Sequence, residues 1–173
     1  MSSGIPMLEE NAKILSNRFP EVLDRILKTG SRPSDTFFYD ESSKHTLMVQ
    51  RGENAFPAYG DRSKDTLIKR WFDGLKLESE SLYAVTGFGD GSHIDYFLEN
   101  SSNGTFCLSA EKDPCLLRET FSRIDCSRIL SHERFGMGVG DLDDAFFQDI
   151  QNAAIGNISE VNATIFSPLH SID

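Results

Sequence analysis

The sequence predicts an α/β protein: an open, mainly parallel sheet preceded by a helical segment and a β-hairpin. Three observations lead there. The apolar run at residues 82–85 meets the glycine cluster Gly87, Gly89 and Gly91, and an amphipathic segment with Ile94, Phe97 and Leu98 on one side follows. That order is strand, tight turn, helix. A second apolar run, residues 105–110, then ends in Glu111 and Asp113 after the turn residues Asn103 and Gly104, as the second strand of a βαβ unit does. Beyond it, short β-prone runs at residues 134–139 and 162–167 continue the alternation, the pattern of a parallel sheet with crossover helices.

The remaining elements follow in chain order. From residue 7 to about 28, Leu8, Ala12, Leu15, Phe19, Val22, Leu23, Ile26 and Leu27 recur at three- and four-residue steps, which lays them on one helix face. Pro20 has no amide hydrogen, so two helices meeting at residues 17–20 are expected, with Phe19 plugging the corner. Residues 36–39 and 46–50 read as an antiparallel hairpin with Phe37, Tyr39, Leu47 and Val49 on a shared face. Residues 51–61, which hold Gly52, Pro57 and Gly60, read as a loop anchored to the core by Phe56 and Tyr59. Ser63 opens a helix to residue 75 that buries Leu67, Ile68, Trp71, Phe72 and Leu75.

After Asp113, Pro114 suits a first helical turn whose buried side is Leu116, Leu117 and Phe121. Residues 141–149 read as a helix with an acidic N-terminus and Leu142, Ala145, Phe146 and Ile150 inward. Pro168 stops the last strand. The expected organisation is a segment 1–62 of helices and hairpin packed on a Rossmann-like unit 63–173, in one compact body that stops short of a following domain.

The chemistry sits at the carboxyl edge of the sheet. A right-handed crossover brings the glycine turn and the acids together there. Glycines let the backbone approach a ligand, the helix N-terminus favours an anion, and a carboxylate ending the neighbouring strand accepts bonds from ribose hydroxyls. Gly87, Gly89, Gly91 and Glu111 are therefore candidate cofactor-binding residues, with Asp141 after the third strand, and a nucleotide or S-adenosylmethionine is the candidate cofactor. The same glycines also serve as a plain close-packing turn. Ser92 stands where the dinucleotide pattern Gly-x-Gly-x-x-Gly has its third glycine. The pattern of Gly87, Gly89, Gly91, Glu111 and Gly140-Asp141 is similar to that of S-adenosylmethionine-dependent methyltransferases, although Val85 occupies the place of their usual carboxylate. Glu111 is expected toward the ligand edge and Asp113 at the cap of the next helix.

Composition sets the limits. With 173 residues, 39% hydrophobic and 25% charged, the chain is long enough for one cored domain. A net charge of −10 without a Lys/Arg cluster argues against nucleic acid. No basic leader or apolar run of membrane length is present, so a cytoplasmic location is expected. Cys107, Cys115 and Cys126 have no metal-ligand spacing, His45, His93, His132 and His170 are scattered, and no metal site is expected. No Ser, Cys or Lys pairs with a base by sequence logic, so catalytic residues are not assigned.

A specific resemblance rests on several of these segments. Asn11-Ala12-Lys13-Ile14-Leu15, Phe19-Pro20-Glu21-Val22-Leu23, the run from Leu82 to His93, Glu111-Lys112-Asp113-Pro114 and Ala163-Thr164-Ile165-Phe166-Ser167-Pro168 together resemble the N-terminal domain of the motility-associated (Maf) proteins. These are bacterial glycosyltransferases that attach nonulosonic acids to flagellin. The resemblance implies a non-catalytic domain ahead of a second Rossmann-like domain that transfers sugar from a cytidine monophosphate donor. It also implies flagellin or that adjoining domain as partner. A methyltransferase-like nucleotide-binding domain and a plain scaffold remain the alternatives.

Overall fold

The computed structural model describes residues 7–29, 36–40, 46–60, 63–140 and 160–166. Pro20 divides the N-terminal apolar stripe as expected: α1 (Glu9–Arg18) ends before it and α2 (Pro20–Lys28) begins on it, the position where its missing N–H costs nothing. Phe19 fills the corner, edge-on to Phe135 with ring centroids 6.1 Å apart. The corner is also tied down by polar contacts, since Arg18 donates to the carbonyls of His132 (2.9 Å) and Phe135 (3.1 Å).

The hairpin forms from β1 (Phe37–Asp40) and β2 (Thr46–Arg51). The register Phe37↔Val49 and Tyr39↔Leu47 sets those four side chains on one face. A third strand, β3 (Asn54–Pro57), adds antiparallel to β2, which corrects the loop expected at residues 51–61. All four of its residues are exposed, so no alternation of apolar and polar residues announces it. Pro57 is tolerated because this is an edge strand. Gly52 makes the turn into it at φ 60°, a left-handed conformation that glycine adopts without strain.

Next come α3 (Lys64–Asp73), β4 (Ser81–Thr86), α4 (Ser92–Asn100), β5 (Phe106–Glu111), α5 (Pro114–Arg123), α6 (Ser127–Ser131), β6 (Phe135–Val139) and β7 (Glu160–Ile165). Ser63 occupies the N-cap of α3 without a side-chain hydrogen bond; Asp65 in the first turn supplies the charge that the helix dipole favours. The expected helix at residues 141–149, with Asp141, lies outside the described residues. Strands β4 to β7 make a parallel sheet in the order β6-β5-β4-β7. The protein is thus α/β and Rossmann-like, with the small antiparallel sheet ahead of the parallel one. Five of the six β4 residues are buried, as a central parallel strand covered on both faces requires. The chain steps outward from β4 to β5 and β6, then returns to the other flank of β4 with β7. Such a reversal leaves a crevice beyond the strand ends where open α/β sheets take their ligands, and the glycine turn follows β4 at that point.

Among the described residues, two apolar clusters hold these layers. In the larger, Leu15, Val22 and Ile26 of the first two helices pack with Tyr83, Val85, Phe97, Phe121 and Phe135. In the smaller, Tyr39, Leu47 and Ala58 of the antiparallel sheet region meet Ile68, Leu116 and Phe166. Trp71, expected as a core anchor, is half-buried and packs against both; its indole N–H donates to Thr164 Oγ1 at 3.3 Å. Asn11 is fully buried on α1. Its amide donates to the carbonyls of Phe121 (2.9 Å) and Ile124 (2.7 Å) and accepts from the Cys126 N–H (2.9 Å), which satisfies the backbone where α5 ends. Among the described residues, no helix is long and apolar enough to cross a membrane.

Candidate functional site

The glycine turn and the acid of the neighbouring strand do share one rim. Gly87, Gly89 and Gly91 have φ of 85°, 55° and 79°, conformations that side chains disfavour. A Cβ on Gly91 would lie 2.9 Å from Ile129 Cδ1 and 3.0 Å from Phe88 Cζ. Phe88, inside the turn, is fully buried and packs against Phe121 and Phe135 with centroids 5.4 Å and 6.3 Å away. The glycines therefore allow close packing around a phenylalanine that the turn itself drives into the core.

Glu111 ends β5 beside this turn with its carboxylate directed inward. Oε2 accepts the N–H groups of Phe88 at 2.9 Å and Gly89 at 3.4 Å, and Oε1 accepts that of Asp113 at 3.0 Å. Only 7% of the residue is exposed. Burial pushes its carboxyl above the ordinary range, and the bonds from Asp113, Phe88 and Gly89 offset part of that rise. Asp113, as expected, caps α5: its Oδ1 accepts the Cys115 N–H at 2.8 Å, with Pro114 in the first turn.

A second carboxylate, not singled out in the sequence, occupies the N-terminal end of α4. Asp90 Oδ1 accepts the Tyr59 hydroxyl at 2.6 Å and the Ser92 N–H at 3.0 Å, and Oδ2 receives Lys64 Nζ at 2.9 Å. Lys64 Nζ also donates to Ser92 Oγ at 2.8 Å. This is where a helix N-terminus otherwise takes a phosphate, and here the protein supplies the anion. Above it, Tyr39 Oη and Thr120 Oγ1 are 2.7 Å apart, and Thr120 donates to the Gly89 carbonyl at 2.8 Å. The antiparallel sheet region thus reaches the turn through two tyrosines. Tyr59 acts as the anchor expected of it, its ring against Phe166 at 6.1 Å. An Asp two residues before the first helical turns is a recognisable capping pattern, whereas the Tyr59 and Lys64 partners are set only by folding.

Glu111, Asp90, Tyr39 and Tyr59 are thus each hydrogen-bonded within the protein at this rim. Of the sequence candidates, Gly87, Gly89, Gly91 and Glu111 come together, and Asp141 lies outside the described residues. An open groove of about 450 Å³ runs beside the rim between α3 and α4, lined by Lys64, Asp65, Ile68, Ser92, Asp95, Tyr96 and Glu99. Among the described residues, no group of three or more His, Cys, Asp or Glu is placed to hold a metal.

The Asp90 cluster makes a pH prediction. Burial raises the Asp90 carboxyl, but Lys64, Tyr59 and the Ser92 N–H together outweigh it and hold it below the ordinary range. A depressed folded pKa means that the unfolded chain binds more protons below about pH 4. Asp90 therefore stabilises the fold above that pH, and the contribution fades as pH falls through the folded value. In urea titrations from pH 6 to pH 3, the stability difference between the parent protein and Asp90→Asn is expected to shrink toward acid pH. A difference independent of pH would remove Asp90 as its source.

No protein-family model matches the chain, and no curated protein matches it. Among solved structures, the Maf glycosyltransferase of Magnetospirillum magneticum AMB-1 is similar over 94% of this chain, with 15% identity and a TM-score of 0.54. A protein-L-isoaspartate O-methyltransferase matches over 77% of this chain and 42% of its own, with 17% identity and a TM-score of 0.39. Fibrillarin of Aeropyrum pernix matches over 76% of this chain and 64% of its own, with 13% identity and a TM-score of 0.37. This chain spans 33% of the length of the Maf glycosyltransferase, and at that identity the likeness is one of fold.

Proposed function

We propose that the chain is the N-terminal, non-catalytic Rossmann-like domain of a Maf-type flagellin glycosyltransferase, serving acceptor recognition or assembly with the adjoining transferase domain. The observation that carries this reading is the self-filled rim. Glu111 takes the amides of the glycine turn, Asp90 takes the anion position at α4 and is bonded by Tyr59, and Tyr39 bonds the Thr120 that holds the Gly89 carbonyl. A nucleotide would have to displace each of these groups, leaving buried donors and acceptors without partners. The likeness in fold over nearly the whole chain supports the Maf assignment. Flagellin as acceptor and a nonulosonic acid as the sugar come from the resemblance in sequence motifs.

Calorimetric titration with S-adenosylhomocysteine, cytidine monophosphate and a cytidine-activated nonulosonic acid is expected to give no saturable heat. Immobilised flagellin, or the separately produced transferase domain, is expected to retain the chain. Saturable binding of S-adenosylhomocysteine would overturn this reading in favour of a methyltransferase-like nucleotide-binding domain. Silence toward every ligand and both protein partners would reduce the chain to a scaffold.

A further inference from the structure

We infer that the antiparallel sheet is a separable cover on the carboxyl edge of the parallel sheet, latched by the Tyr59–Asp90–Lys64 cluster and able to open without unfolding the larger core. Among the described residues, the two sheets share no strand pairing. The cover has its own small apolar cluster, Tyr39, Leu47 and Ala58 against Ile68, Leu116 and Phe166, and none of its described residues belongs to the larger buried cluster. A layer held by the smaller of the two apolar clusters opens at lower free energy than the larger core.

Where this layer meets the glycine turn, its contacts are hydrogen bonds. Tyr59 reaches Asp90, and Tyr39 reaches Thr120, which in turn bonds the Gly89 carbonyl. The Asp90 side chain is 3% exposed while its partner Lys64 is 39% exposed, so the latch is buried on the carboxylate side and open to water on the lysine side. Lys64 begins α3 directly after the cover, and one cation therefore joins the hinge end of the cover to the tip of the glycine turn. Removing the Tyr59 hydroxyl loosens the cover while its ring stays on Phe166. Opening frees the Thr120 hydroxyl and the Asp90 carboxylate from their tyrosine partners beside the glycine turn.

Native-state hydrogen exchange tests this directly, and it reads differently from the ligand titrations, so its failure is distinct from failure of the proposed function. In Tyr59→Phe and Asp90→Asn, the amide of Ala58, which donates to Leu47, and the ladder amides of β2 and β3 are expected to exchange roughly tenfold faster or more. The amides of β4 and β5 are expected to change less than about twofold. Acceleration of both sheets by the same factor would overturn the inference, because the cover would then be part of one cooperative unit. Unchanged exchange of the antiparallel sheet in both variants would overturn it too, because the cluster would not be its latch.

Discussion

Replacing Arg134 by Met is expected to destabilise the protein by about 3 kcal/mol or more, because hydrogen bonds to a charged group contribute about 1.5–3 kcal/mol each. Arg134 is 6% exposed. Its guanidinium donates to Ser101 Oγ, Ser102 O and Thr105 O at 2.8 Å each, and to Leu98 O at 2.5 Å. None of these partners is a carboxylate. They are the carbonyls and hydroxyl where α4 ends and the chain turns into β5, and α4 has no basic residue in its own last turn. Arg134, in the turn just before β6, therefore supplies the cation that this helix C-terminus favours and satisfies carbonyls that lack intrahelical partners.

Methionine fills similar volume and leaves all four oxygens without that donor. Lysine presents a single ammonium in place of a planar fork, so Arg134→Lys is expected to recover only part of the loss. Urea unfolding followed by Trp71 fluorescence should show a lower midpoint at unchanged slope. A loss below about 1 kcal/mol, the scale of exposed charges, would mean that water already serves these carbonyls.

Glu111→Ala is expected to cost about 2–4 kcal/mol, since the Phe88, Gly89 and Asp113 amides lose their acceptor inside a buried turn. Release of a buried carboxylate offsets part of this, because desolvation already disfavours its charged form. Glu111→Gln keeps the shape but turns an NH₂ toward one set of donors, so it is expected to fall between the parent and the alanine variant. Thermal unfolding separates the two roles open to this residue. A ligand-binding carboxylate facing an open rim would leave the melting temperature of the ligand-free protein nearly unchanged when truncated. A structural acceptor is expected to lower it by roughly 4–16 °C for a chain of this size.

Much of the scaffold was legible in the sequence because it follows from local rules. Pro20 forces the break between two helices, alternating apolar residues mark the hairpin face, and an apolar run before glycines marks the central strand. Asp113-Pro114 announces a capped helix, and the structure places each of these where periodicity and backbone sterics put them. The strand at residues 54–57 was not legible, because an exposed, proline-ended edge strand has no burial pattern to read and exists only by pairing with β2.

The rim divides along the same line. Sequence alone determined that three glycines and an acid twenty positions on meet at one edge of a parallel sheet, since chain connectivity fixes that much. Only the tertiary structure decided which way the acid turns and what covers it. Glu111 faces the amides of Phe88 and Gly89, and Asp90 is held by a tyrosine and a lysine from 31 and 26 positions upstream. Those choices depend on which buried donors lack another acceptor once the two sheets have packed, a balance of hydrogen bonding and desolvation that no stretch of sequence contains by itself.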